Sequence, residues 1–110
     1  MTSVNLRSLG LRLAIAAAII SLHLGSAHAE DTTVMIDNFT FEPKQLTVKV
    51  GTTVTWKNRD DIPHTVVSAG KFRSKTMDTV ESFSFTFTAT GDYKYFCSLH
   101  PHMTGMIKVE

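Results

Sequence analysis

Residues 83–103 read FSFTFTATGDYKYFCSLHPHM, and the first six of them decide the fold class. Phe83, Phe85 and Phe87 alternate with Ser84, Thr86 and Thr88, a period of two that places the rings on one face of an extended strand and the hydroxyls on the other. Helical spacing is absent. The turn signal ATGD follows, and GDYKYFC alternates again, with Tyr93, Tyr95 and Cys97 on one side.

The same period runs outward from this stretch. Val34 and Ile36 alternate with polar neighbours, as do Leu46, Val48 and Val50; Val54 and Trp56 follow Gly51, Val66 sits in TVVSA, and Ile107 and Val109 close the chain. Between these runs lie the turn signals DNF, EP, VG, NRDDIP and SAGKF. About seven short strands so separated predict an all-β fold, an antiparallel β-sandwich with Greek-key connections. The stretch from Gly70 to Val80 is the least regular and reads as a loop or a short, weak strand. An immunoglobulin-like structural module shares this pattern, with Trp56 as its core tryptophan. That module wants a cysteine on each side of the tryptophan, and Cys97 is the one cysteine of the 110 residues.

The N-terminal segment is of another kind. Arg7 and Arg12 precede an apolar block from Leu13 to Leu24, and SAHAE places Ala27 and Ala29 at the small-residue positions of an export cleavage site. The block is shorter than the ~20 residues that span a bilayer. Residues 1–29 are therefore expected to be a signal peptide cleaved after Ala29, leaving 30–110 as one soluble domain in the periplasm. Nine basic side chains then face ten acidic ones, a net charge of about −1 with histidines neutral. Such balance argues against a nucleic-acid binder, which needs a basic surface, and no stable membrane insertion is expected.

A domain this small has a marginal core unless something reinforces it. A lone cysteine cannot form an internal disulfide, and an exposed thiol is a liability in an oxidising compartment. CSLHPHM, residues 97–103, suggests what holds it. Cys97, His100 and Met103 are spaced three and three on the segment connecting two strands, and Pro101 disfavours helical geometry at His100. Taken singly, the cysteine and the methionine would be core residues and His100 a surface residue. Together on seven residues they read as a thiolate, an imidazole and a thioether aimed at one centre. A fourth ligand must come from elsewhere, and His64, in DIPHTVV, sits at a loop end feeding a strand. Methionine is a poor zinc ligand, and calcium and magnesium want oxygen. Two imidazoles and a thiolate in a plane, with a weak axial methionine, describe a blue-copper electron-transfer site.

At these residues the sequence resembles the cupredoxins, the type 1 blue copper proteins, and among them the short-loop amicyanins. The resemblance covers nearly the whole domain: FTFEPKQLTVKVGTTVTWKNRDDIPHTV is similar to the family's first half and FTATGDYKYFCSLHPHMTGMIKVE to its last third. It implies one copper per chain, with His64, Cys97 and His100 as equatorial ligands and Met103 as the axial one. It also implies a monomeric, non-enzymatic carrier of single electrons between redox proteins, such as a c-type cytochrome or a periplasmic dehydrogenase. An exposed edge of His100 would lie in an apolar patch, for which Pro63, Met77, Pro101 and Met106 are candidates. The resemblance also implies a pH switch, in which acid protonates His100 and detaches it from Cu(I).

Three positions depart from the family pattern. Thr65 stands where an asparagine often ties the ligand loops together, with its N–H still able to donate to the Cys97 sulfur. Leu99 replaces a proline and so keeps an N–H for the same sulfur, and His102 replaces an aromatic residue. His102 reads as a surface residue, with a pH-sensitive partner contact as the alternative. The same ligands would also serve a periplasmic copper chaperone or resistance protein. A multicopper oxidase or nitrite reductase needs more copper ligands than His64, His100 and His102 can supply.

Overall fold

The computed structural model describes residues 31–110; the expected signal peptide lies outside the described residues. Nine strands run in the order β1 Thr32–Asp37, β2 Thr40–Glu42, β3 Gln45–Val48, β4 Thr53–Asn58, β5 Val67–Ser68, β6 Phe72–Arg73, β7 Ser82–Thr86, β8 Gly91–Cys97 and β9 His100–Val109. They form two sheets, β2-β1-β4-β7 and β3-β9-β8-β5-β6. The all-β sandwich expected from the alternation is present. Both sheets are mixed, however: β1 lies parallel to β4, and β3 parallel to β9. The chain leaves the first sheet after β2, adds β3 to the second, and returns with β4, so β4 arrives beside β1 in the same direction. Among the described residues no helix is long and apolar enough to cross a membrane.

The inward positions are those of the period-two pattern. Val34, Ile36, Val54 and Trp56 are fully buried in one layer, and Tyr95, Cys97, Ile107 and Val109 are buried in the other. Trp56 stands within 5.3–5.8 Å, centroid to centroid, of Tyr95, Phe72 and Phe83. Burying each such large apolar side chain is worth about 1.5–3 kcal/mol, which ties the sheets together. On the outer face of β4 and β7, Thr53 pairs with Thr86 and Thr55 with Ser84 through hydroxyls 2.7 Å apart. Val50 breaks the pattern. It is 43% exposed, because β3 ends at Val48 and Gly51 turns the chain at φ 95°, a conformation suited to glycine.

The stretch 70–80 holds only β6 and an isolated bridge between His64 and Met77. The segment Cys97–Met103 is a tight hairpin. Cys97 pairs with His100 across Ser98 and Leu99, while Phe96 already pairs with Thr104. Pro101, His102 and Met103 are therefore left without partners on β8, a bulge of the kind that re-aims side chains. Since Cys97 follows Tyr95 on the inward face of β8, the alternation delivers its sulfur to the end of the core.

Candidate metal centre

Three segments meet at that end: the β1–β2 turn, the loop between β4 and β5, and the β8–β9 hairpin. The loop carries His64 and is braced along its length. Asn58 donates its side-chain amide to the carbonyls of Ile62 and Met77, both at 3.0 Å, and accepts the N–H of Asp60 at 2.9 Å. His64 and Met77 exchange backbone hydrogen bonds of 3.1 and 2.8 Å. The imidazole of His64 is fully buried, and its Nε2 lies 2.7 Å from Asp60 Oδ2. A side chain so held turns its other nitrogen, Nδ1, toward the hairpin, where it lies 3.6 Å from Cys97 Sγ.

His100 approaches from the other side. Its Nδ1 is 3.7 Å from the same sulfur, and it is half-buried, whereas Cys97 is fully buried. The ligand atoms of His64, Cys97 and His100 all lie within 4.8 Å of one another. Bonds of roughly 2.0 Å to nitrogen and 2.3 Å to sulfur, the lengths typical of zinc sites, separate the two donors by about 3.5 Å at a tetrahedral angle and about 3.7 Å at a trigonal one. The observed spacings fall in that interval, so the three side chains fit one metal ion, and their mixture of thiolate and imidazole is the copper set.

The sulfur is prepared for the thiolate form. Burial pushes the Cys97 thiol up, but the Thr65 N–H, the contacts with the two imidazoles and the Leu99 N–H outweigh it and bring the pKa down to about 6. The Thr65 N–H donates to Sγ at 3.3 Å. Of the two expected donors, the Thr65 N–H makes the hydrogen bond to the sulfur. Thr65 also does the work of the missing asparagine: its Oγ1 accepts the Ser98 N–H at 2.7 Å and lies 2.8 Å from Ser98 Oγ.

Met103 lies on the bulged part of β9 and is 3% exposed. His102 is exposed, in keeping with a surface position. Among the residues expected in the apolar patch, Pro63 and Pro101 are exposed. Met77 is not, at 3%, because its bridge to His64 draws it inward, and Met106 lines a groove on the outer face of the second sheet with Gln45, Lys94 and Phe96. Leu99 and Phe39, 48% and 42% exposed, supply apolar surface in the hairpin and beside the histidines.

Two residues of the site had no reading in the sequence. Asp60 accepts the N–H groups of Asn38 at 2.6 Å and Phe39 at 3.0 Å, besides meeting His64. Burial pushes its carboxyl up, but Phe39, His64 and Asn38 together pull it below the ordinary value. An acid four residues before a ligand histidine was a signal, yet Asp61 offered the same chemistry one residue on. Phe39 stands edge to face on both His64 and His100, and DNF announced only a turn.

The family of copper binding proteins, plastocyanin/azurin family, matches residues 28–110. Amicyanin of Paracoccus denitrificans is 36% identical over 77% of this chain and 71% of its own length. Amicyanin-alpha of Methylorubrum extorquens is 32% identical over 96% of this chain and 100% of its own. The solved structure of a novel purple cupredoxin from Nitrosopumilus maritimus superposes with a TM-score of 0.70 at 34% identity, covering 73% of this chain and 100% of that one. With the cysteine and both histidines converging as described, the chain belongs to the copper binding proteins of the plastocyanin/azurin family.

Proposed function

We propose that this chain is an exported electron carrier that holds one copper ion through His64, Cys97, His100 and Met103 and passes single electrons between redox proteins. The observation that carries the reading is the convergence of two imidazole Nδ1 atoms, 3.6 and 3.7 Å away, on one buried sulfur. Bound there, copper would supply a one-electron Cu(II)/Cu(I) couple. Cys97 and the two histidines would be the strong donors to it, and Met103 a weak one.

The protein's part is to keep these donors still. His64 is held on Asp60, and the sulfur is held by the N–H of Thr65. Donors fixed in this way change little between oxidation states, which favours rapid electron passage. His100, half-buried and followed by exposed Pro101, offers the edge through which a partner docks briefly, at the small end of interface sizes. The partners proposed are a c-type cytochrome or a periplasmic dehydrogenase, met in the periplasm after cleavage behind Ala29.

The test is the visible spectrum of the mature protein after Cu(II) is added. One equivalent should give an intense thiolate-to-copper band, absent in Cys97→Ser. Because one relative is described as purple, the presence of the band matters more than its position. A colourless protein that binds no copper would end this reading. Fast self-exchange with copper retained against a chelator marks a carrier; ready surrender of the ion marks a copper-handling protein.

A further inference from the structure

Phe39 is an unusual residue for its position. It and Asn38 form the β1–β2 turn with φ of 60° and 50°, the left-handed region that bulky side chains avoid and that glycine enters freely. Core burial does not account for it, since the residue is 42% exposed. What holds the turn is Asp60, whose two carboxylate oxygens accept the Asn38 and Phe39 N–H groups. The oxygen that binds Phe39 also contacts His64 Nε2. One carboxylate therefore fixes the turn and the imidazole relative to each other.

The turn places the Phe39 ring perpendicular to both imidazoles, with centroids 5.6 Å from His64 and 5.0 Å from His100, while the two imidazoles are 5.0 Å apart. His64 is already secured through Asp60. His100 sits on the short hairpin, and no hydrogen bond from its Nε2 is found among the described residues. The Phe39 ring is thus a packing contact that restrains the half-exposed imidazole.

We propose that Phe39 is a positioning residue for the metal centre: the strained turn, anchored on Asp60, holds its ring against His64 and His100 so that both imidazoles are oriented before an ion arrives. This rests on the reading of these histidines as copper ligands. Strain maintained by its surroundings beside a site of chemistry is the usual setting for such pre-organisation, and here the ring it presents is the reason that glycine would not serve.

The test compares Phe39→Ala, Phe39→Gly, Phe39→Tyr and Asn38→Gly with the parent, both metal-free and copper-loaded. Phe39→Gly removes the ring while relieving the backbone, so its fold should persist, as a melting curve will verify. NMR relaxation of the metal-free protein should show the His100 imidazole becoming mobile in the Ala and Gly variants and staying ordered in Tyr and Asn38→Gly. In the copper-loaded protein, self-exchange should fall roughly tenfold in Ala and Gly and recover in Tyr. An His100 imidazole equally ordered in all five proteins, with self-exchange unchanged, overturns the proposal. So does a Tyr variant that behaves like Ala. Failure of the copper reading is seen separately, as absence of the intense band in the parent, and the metal-free relaxation data stand apart from it.

Discussion

Thr65 Oγ1 accepts the backbone N–H of Ser98 at 2.7 Å, joining the segment that carries His64 to the hairpin that carries Cys97. The same residue's N–H donates to the Cys97 sulfur at 3.3 Å, so one threonine secures both the position and the charge state of the thiolate. Thr65→Val keeps the shape and the backbone donor but removes the hydroxyl that accepts the Ser98 N–H and lies 3.7 Å from the Cys97 sulfur. A loss of about 0.5–1.5 kcal/mol is expected, measured by urea unfolding of the metal-free protein. Ser98→Ala removes only the hydroxyl of an exposed residue and should cost less than half as much.

Leu99→Pro deletes the backbone N–H that we propose as a second donor to the sulfur, one of the causes that lower the Cys97 pKa. That hydrogen bond withdraws electron density from the thiolate and favours the reduced ion, so its removal should lower the reduction potential. About 59 mV corresponds to each tenfold change in preference for a one-electron couple. Voltammetry of the copper-loaded variant reads the shift, and a potential that stays or rises would contradict the role given to Leu99.

Asp60→Asn replaces an acceptor-only carboxylate facing three donors with an amide that must turn an NH₂ toward one of them. The expected penalty is about 2–4 kcal/mol. Because the Asp60 carboxyl sits below its ordinary value, its contribution is present above the unfolded pKa near 3.8 and lost as pH falls through the folded one. The acid limb of the stability profile should therefore be shallower in the variant than in the parent.

In metal-free protein the Cys97 thiol has a pKa of about 6 against an ordinary value of 9.0. A depressed pKa stabilises the fold fully above pH ~9, and that stabilisation disappears as pH falls to ~6. Denaturant titrations of parent and Cys97→Ala between pH 6 and 9 should diverge on the alkaline side, and parallel profiles would show the thiol to be unperturbed.

Gly105 lies against Tyr95 across the sheet, and a Cβ there would come within 2.4 Å of the tyrosine Cζ and hydroxyl. Tyr95 is 2% exposed and packed edge-on against Phe41 and Trp56, so its ring has little room to move. Gly105→Ala should destabilise the protein by about 1–3 kcal/mol, seen as a lower melting temperature with or without copper.

Most of the sandwich was legible in the residues. Alternation is a local property, and Phe83–Phe87, Val54–Trp56 and Tyr93–Cys97 all turn inward as their period demands. Parallel pairing of β1 with β4 and of β3 with β9 was not legible, because strand direction follows from which sheet each segment joins. Cys97, His100 and Met103 stood out because their chemistry is concentrated in seven residues.

Linear order thus specified the strand faces, the hairpin and the donor types, since each depends on neighbours within a few residues along the chain. The fold alone selected Asp60 over Asp61 as the support of His64, drew Met77 inward, and set Phe39 over two imidazoles far from it in sequence. Those relations exist only once 22 residues separating Asn38 from Asp60 and 33 separating His64 from Cys97 have been closed into one end of a packed core, where position is decided by burial and hydrogen bonding across segments.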